Sequence, residues 1–453
     1  MILSASRRTD IPAFYSDWFF NRIKEGFLYV RNPMNRHQVS KINLSPDVVD
    51  CIVFWSKNPR PMMGRLSELD RYMYYFQFTI NPYDTSFEYS VPKKSGGEGV
   101  ISTFQELSKR IGANRVIWRY DPILLSNDIG IGYHTKYFEE LAKRLEGYAN
   151  TCVISFIDLY KKTQKNLRDT NAREPVQEEM IELAIKLNEI AKKYAIKIQS
   201  CSEKIELASV GIEHGRCIDN VLIEDLLGIK LVVDKDGNQR KECGCVQSID
   251  VGEYNTCSHS CKYCYANFNS EIVERNRHRH NPNSPLLIGE LGEDDKVHDR
   301  EIFSLIKIPE AFKQGDFVRL KHPELWAVHS NRLYNDINVF QILSKTQGEY
   351  ILEDISTHVP TSEVLPIGVD GIQDKWIYYD PKIAASILFP GDSIPTHYRD
   401  YSYYLDSFKK DIFDGKSLFD IIKKKKLRYV HEIQHYLDTI GQHNSLRINK
   451  TKL

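Results

Sequence analysis

Along the first two hundred residues, short apolar runs rich in β-branched and aromatic side chains alternate with longer amphipathic stretches. Ile2–Ala5, Cys51–Trp55, Met73–Ile80, Arg115–Trp118, Thr151–Phe156 and Ile196–Gln199 carry the strand pattern. Between them Val100–Ile111, Lys136–Leu145 and Pro175–Tyr194 repeat apolar positions at helical spacing. Strands that are apolar almost throughout are buried on both faces. Their alternation with helices calls for a parallel sheet with helices outside it. The expected fold class is α/β, with six such units forming a partial (β/α)6 TIM-like barrel.

A polar cluster follows each strand at once. These are Arg7-Arg8-Thr9-Asp10, Ser56-Lys57-Asn58, Asn81, Arg119 with Asp121, Asp158, and Cys201-Ser202-Glu203. In a parallel barrel such strand ends open on one rim, where active sites are assembled. Any one cluster could cap a helix instead; six on one rim favour a cavity. Asp10, Lys57, Asn58, Arg119, Asp121 and Glu203 are therefore candidates to bind cofactor or substrate.

The texture changes after about residue 268, where Glu274–Pro285 is polar and proline-bearing and Gly289–Asp295 forms an acidic turn. Gly315–Lys321, Asn338–Leu343 and Glu349–Glu353 then read as short alternating strands of a small β-barrel. Three segments are expected: 1–305 as the barrel, 306–372 as a small β-rich module and 373–453 as a helical tail.

Composition narrows the class. The 453 residues suffice for two or three domains, and 42% hydrophobic with 27% charged residues is ordinary for a globular chain. Lysine plus arginine and aspartate plus glutamate number 61 each, so bulk charge indicates no nucleic acid or other polyanion. The basic runs Arg275–Arg279 and Lys423–Lys426 read as solvated faces. No apolar run approaches the roughly 20 residues of a membrane helix, and the start lacks a signal-peptide pattern, so a cytoplasmic protein is expected.

The nine cysteines are unevenly placed. Cys51 and Cys152 sit in apolar runs and read as core residues. The other seven lie between 201 and 264 in polar, turn-rich settings, a crowding that points to metal rather than disulfides. Cys257, Cys261 and Cys264, spaced C-x3-C-x2-C, can wrap one loop around a face of an iron–sulfur cube. Such cubes are normally held by four thiolates, so three leave one iron open to a small ligand. A zinc loop is the alternative, but zinc ribbons pair two C-x2-C knuckles and no second one is present. Cys201, Cys217, Cys243 and Cys245 supply the four thiolates that a second cluster or a structural zinc would use.

The loop resembles the cluster loop of radical S-adenosylmethionine enzymes. The resemblance extends over residues 1 to about 305 to a bacterial family of radical-SAM-like proteins of unknown function. It is carried by SRRTDIPAFY (6–15), FWSKNP (54–59), WRYDPI (118–123), GIEHGRCID (211–219), QRKECGC (239–245) and SIDVGEYNTCSHSCKYCYAN (248–267). It implies a 4Fe–4S cluster on Cys257, Cys261 and Cys264, S-adenosylmethionine at the open iron, and an electron donor such as a flavodoxin or ferredoxin. The loop ends the domain here, whereas ordinary radical-SAM enzymes carry it after the first barrel strand. Contacts to S-adenosylmethionine therefore do not transfer residue by residue, and no substrate is implied.

In the tail, Leu427–Asp438 contains HExxH. On a helix, His431 and His435 lie one turn apart and could grip a zinc, with Glu432 as the catalytic base. The segment resembles the active-site helix of zincin metallopeptidases. It departs from them in lacking a clear third ligand, since Gly441 stands where the extended motif has its last histidine; Asp438, His443 and His397 are the candidates. The leading expectation is a radical-SAM-type iron–sulfur enzyme fused to a zincin-like tail. The alternatives are a zinc metallopeptidase with the barrel as recognition domain, a non-catalytic iron–sulfur or zinc protein, and a fusion of two unrelated frames.

Overall fold

A computed structural model describes residues 1–227, 230–306, 317–320, 340–346, 349–352, 355–360 and 364–366. His431, Glu432, His435 and their candidate third ligands lie outside the described residues. The chain divides into two compact units, one of residues 1–220 and 232–305, the other of 221–231 and 306–453.

The first unit is built on an eight-stranded parallel sheet. Its strands are β1 (Ile2–Ala5), β4 (Cys51–Ser56), β5 (Tyr74–Thr79), β6 (Val116–Ile123), β7 (Thr151–Phe156), β8 (Lys197–Ser200), β9 (Glu213–His214) and β10 (Ile249–Asp250). The spatial order β10-β1-β4-β5-β6-β7-β8-β9 follows the chain without reversal, apart from β10 beside β1. Two segments skipped in that order, β2 (Phe27–Arg31) and β3 (Gln38–Asn43), form an antiparallel pair that β11 (Lys296–Asp299) extends in parallel.

Period-two alternation divides each strand of the large sheet between two faces. Ile52 and Phe54, Phe76 and Phe78, Trp118 and Tyr120, and Cys152 and Ile154 join one hydrophobic core. They pack with helices α4 (Val100–Ile111), α5 (Ile131–Leu145) and α7 (Gln177–Lys193) through Phe104, Phe138 and Leu187. Phe54 stacks on Phe76 and Trp118 on Phe138, with ring centroids 4.8 Å apart in both pairs. The alternate positions are more polar: Trp55, Gln77, Arg119 and Ser155 point away from that core. The apolar runs thus conceal a second, chemically distinct face.

Preceding these helices are α1 (Ile11–Phe14), α2 (Ser16–Glu25) and α3 (Arg60–Met63), and α6 (Lys161–Asn166) lies between α5 and α7. Three departures from the sequence reading have physical causes. β6 runs on to Ile123 through Asp121-Pro122, a dipeptide that reads as a strand end. α5 starts five residues earlier than expected, after Gly130, which offers no side-chain cap to mark the boundary. β9 and β10 have two residues each, too few to show a period.

In the second unit, β12 (Phe317–Leu320), β13 (Phe340–Thr346), β14 (Glu349–Leu352), β15 (His358–Pro360) and β16 (Val364–Pro366) form an antiparallel sheet ordered β15-β14-β13-β12-β16. Val318, Leu320, Phe340, Ile342, Tyr350 and Leu352 bury one face at the expected spacing of two. Among the described residues no helix is long and apolar enough to cross a membrane.

Candidate active site

The C-terminal ends of the strands open on a cavity of about 700 Å³. β1 delivers Arg7, Arg8 and Asp10 to it, β4 Lys57, β6 Arg119 and Asp121, β7 Asp158, and β8 Cys201 and Glu203. All seven cysteines between 201 and 264 reach the same cavity. Asn58 is not among the lining residues; its amide oxygen is buried without a partner.

The Cys257–Cys264 loop is fixed from several directions. Its backbone is strapped to the segment after β5, with Ser90 N–H donating to His259 O at 3.0 Å and Lys262 N–H to Phe87 O at 2.9 Å. Asn267 Nδ2 donates to Cys257 O at 2.6 Å, and the Tyr15 hydroxyl to Thr256 O at 2.6 Å. His259 Nε2 lies 2.7 Å from Asp10 Oδ2, while its Nδ1 is buried without a partner.

Beneath the loop a buried polar network joins two further strand ends. Lys57 Nζ donates to Glu88 Oε1 at 2.8 Å and to the Tyr263 hydroxyl at 2.9 Å. Tyr263 donates in turn to Glu88, and Asn81 Nδ2 donates to Glu88, Tyr263 and Asp121 O at 3.2, 3.1 and 2.8 Å. Burial opposes the charge of Glu88. The Lys57 and Lys94 ammonium groups, with hydrogen bonds from Lys57 and Tyr263, outweigh it and hold the carboxyl below its ordinary range.

The three loop thiols are held up chiefly by burial. Cys257 and Cys264 are raised, and Cys261 is pushed up to about 12 although Lys57 opposes the shift. The Cys264 sulfur receives backbone hydrogen bonds from Ala266 and Asn267, which favour its thiolate. Such thiols ionise on binding a metal or cluster, which supplies the missing positive charge.

The other cysteines occupy a second wall. Cys201 and Cys217 Sγ atoms are 2.9 Å apart. Cys245 Sγ accepts from the backbone N–H groups of Cys217 and Ile218 at 3.3 and 3.4 Å. Arg119 Nη1 donates to Cys217 Sγ at 2.7 Å and its Nη2 reaches Asp121 Oδ2 at 2.5 Å. Hydrogen bonds from Cys217 and Cys243 drive the Cys245 thiol far down, and the bond to Cys245 drives Cys243 up. Close by, burial lifts the Glu203 carboxyl to about 8, aided by Asp158, Asp121 and Cys201 and opposed by the Phe156 N–H. Glu203 is thus a neutral acid at pH 7, able to donate a proton or a hydrogen bond.

Among the described residues no three histidine, cysteine, aspartate or glutamate side chains stand at metal-ligand positions. The thiols occur as three on one loop and four from other segments, of which Cys201 and Cys217 are in contact. His259 and Glu88 escaped the sequence reading. His259 had a signal, lying between two of the motif cysteines; Glu88 sits in an undistinguished turn and had none.

These features define an α/β protein with a thiol-walled cavity at the C-terminal edge of a parallel sheet. The chain belongs to the family described as Domain of unknown function (DUF1848), whose model matches residues 2–266, more than half of its 453 residues. That match takes in every strand-end cluster and all seven cavity cysteines, and stops short of the residue 305 to which the sequence resemblance reached. No curated protein and no solved structure matches the chain.

Proposed function

We propose that the protein is an iron–sulfur enzyme of radical S-adenosylmethionine type, with its parallel sheet as a partial (β/α)6 barrel. The observation that carries this reading is that the three loop thiols and the strand-end polar groups all line one cavity. The donor set fits a site-differentiated 4Fe–4S cluster. Three thiols come from eight consecutive residues, Cys264 receives two N–H groups, and the Lys57 ammonium offsets thiolate charge.

Cys257, Cys261 and Cys264 would hold three of the irons. When bound, such a cluster supplies the electron that cleaves S-adenosylmethionine, delivered to it by a small donor such as a flavodoxin or ferredoxin. The chain's own part is to position and to exclude water. Asp10 fixes the loop through His259, the Lys57–Glu88–Tyr263 network supports it from below, and Arg119, Asp121 and Glu203 present charge and a neutral acid to the substrate.

The test is anaerobic purification of the full chain, with iron and sulfide measured per chain and absorbance near 400 nm. Addition of S-adenosylmethionine and dithionite is expected to yield methionine and 5′-deoxyadenosine, and Cys261→Ala to lose both cluster and products. Reconstituted protein without iron overturns the proposal. Iron and sulfide without cleavage leave a non-catalytic iron–sulfur protein.

A further inference from the structure

We infer that the mouth of the cavity binds single-stranded nucleic acid, one base stacking on Phe268 and the backbone meeting arginines of the helix Ser270–His278. The binding stands apart from the iron–sulfur reading; that the bound strand is the enzyme's substrate rests on it.

Open aromatic faces surround the mouth. The Tyr254 and Phe268 rings stack, with 5.6 Å between centroids and 21° between planes. The Arg8 guanidinium lies over Tyr254 at 5.4 Å, and Phe268 is 44% exposed. Tyr265 is 52% exposed, its hydroxyl donating to Arg7 O at 2.9 Å. Tyr160, 47% exposed, has the Arg240 guanidinium 5.6 Å from its ring centre. All of these side chains line the cavity, and their exposure places them at its mouth. Large apolar faces left open around a cavity mark a ligand site. Rings interleaved with guanidinium groups take planar bases by stacking, because every base offers a π-face.

Beside them lies the charge that a sugar–phosphate chain requires. The helix Ser270–His278 begins two residues after Phe268. Asn276 Nδ2 ties it to Asn255 O at 3.0 Å, next to Tyr254, and the Phe268 N–H donates to Asn255 Oδ1 at 2.5 Å. Arg275 and Arg277, on either side of Asn276, are exposed. Their guanidinium groups enter no hydrogen bond or ion pair among the described residues. The even balance of acidic and basic residues describes the chain as a whole, whereas a polyanion answers to the local surplus.

The same geometry selects an unpaired strand. A duplex hides its base faces, so open stacking platforms favour bases that are free to splay out. The cavity behind the rings, about 700 Å³, is of a size to enclose a nucleotide-sized molecule rather than a double helix. A base drawn past Phe268 would meet Arg119, Asp121 and Glu203, groups suited to hydrogen bonds with a base edge.

Fluorescence anisotropy with the full chain and a short labelled DNA or RNA strand of mixed sequence is the test. The single strand is expected to bind about tenfold or more tighter than the matching duplex, with affinity falling as salt rises. Phe268→Ala should weaken binding about fivefold or more, the worth of one stacked base, and Phe268→Trp should preserve it. Arg275→Glu with Arg277→Glu should weaken binding and flatten its salt dependence. Phe303→Ala removes an exposed ring outside the cavity lining and should change nothing. Equal affinity for duplex and strand, or unchanged binding in a folded Phe268→Ala variant, would overturn the inference. Displacement of the strand by S-adenosylmethionine would overturn it too, assigning the aromatic rim to the adenine of that molecule. So would full strand binding in the double arginine variant together with slower reduction by a flavodoxin, which would assign the helix to an acidic protein. Strand binding is read without turnover. Iron–sulfur protein that ignores the strand therefore refutes only this inference, and metal-free protein that holds it refutes only the reading above.

Discussion

His259 sets its Nε2 2.7 Å from Asp10 Oδ2, across 249 residues of sequence. The same carboxylate oxygen accepts the Lys57 N–H at 2.7 Å, and Oδ1 accepts the Ala13 N–H at 2.9 Å as the cap of α1. One buried side chain therefore joins the end of β1, the end of β4 and the cysteine loop. Asp10→Ala leaves three groups without their acceptor. An orphaned buried group costs about 1–3 kcal/mol and a lost cap about 1 kcal/mol, so urea unfolding should show a loss of roughly 3 kcal/mol or more. Iron uptake should fall with it. A loss below about 1 kcal/mol would show that water replaces the carboxylate readily.

Stability in mild acid should be governed in part by His134. It is fully buried, with Nδ1 2.8 Å from the Tyr120 hydroxyl and Nε2 2.8 Å from Leu124 O. Burial lowers it to about 4, against the Leu124 hydrogen bond, which raises it. Below its ordinary value near 6.5 the unfolded chain takes up a proton that the folded chain refuses. Its contribution is thus complete above about pH 6.5 and is lost as the pH falls towards 4, by about 3 kcal/mol in all. Chemical denaturation across that window should show the slope, and His134→Gln should flatten it. An equal slope in both proteins would remove His134 as the cause.

The sheet was legible in the sequence because its strands are buried on both faces. Ile2–Ala5 and Thr151–Phe156 are recovered to the residue. The half-exposed β2 and β3 were not, since FLYVR carries a short unbroken apolar run without a period of two and QVSKIN has only two apolar residues. At the site, residue type and strand-end position were enough to single out Asp10, Lys57, Arg119, Asp121 and Glu203. Glu88 could not be found that way: its partners Lys57, Asn81 and Tyr263 are brought to it only by the parallel order of β4 and β5 and by the returning loop. Asp250 was hidden for the same reason. It looks like one more acidic residue before a turn, yet it accepts from Ser4, Ser6 and the Arg7 N–H at 3.0, 2.6 and 2.8 Å.

Gly252 completes that Asp250 knot, with its N–H donating to Asp250 Oδ1 at 3.0 Å. A Cβ added at Gly252 would overlap the Ser6 hydroxyl and come within 2.5 Å of Ser6 Cβ. Gly252→Ala should therefore displace Ser6 or the 250–252 turn, at a cost of about 1–3 kcal/mol for overpacking. Gly237, with nothing within 4 Å of such a Cβ, is the control and should accept alanine with little change. Thermal unfolding of the two variants side by side checks the contrast.

Lys57 and Glu88 offer the sharpest test of what supports the loop. The pair is nearly excluded from solvent, with side chains 14% and 3% exposed. Lys57→Met strands a buried carboxylate whose other cation, Lys94, is 3.6 Å away. Breaking a buried pair from one side typically costs about 3–5 kcal/mol, because the remaining charge has lost its compensation. Replacing both partners with apolar residues removes that penalty, so Lys57→Met with Glu88→Leu should be more stable than Lys57→Met alone. Tyr263→Phe deletes only a hydroxyl bonded to the pair and should cost about 1–2 kcal/mol. Unfolding free energies of the wild type, both single variants and the double variant close the cycle. A double variant less stable than Lys57→Met would mean that Glu88 holds the loop through Asn81 and Tyr263 even without its lysine. The expected order instead makes Lys57 the counter-charge on which the buried network depends.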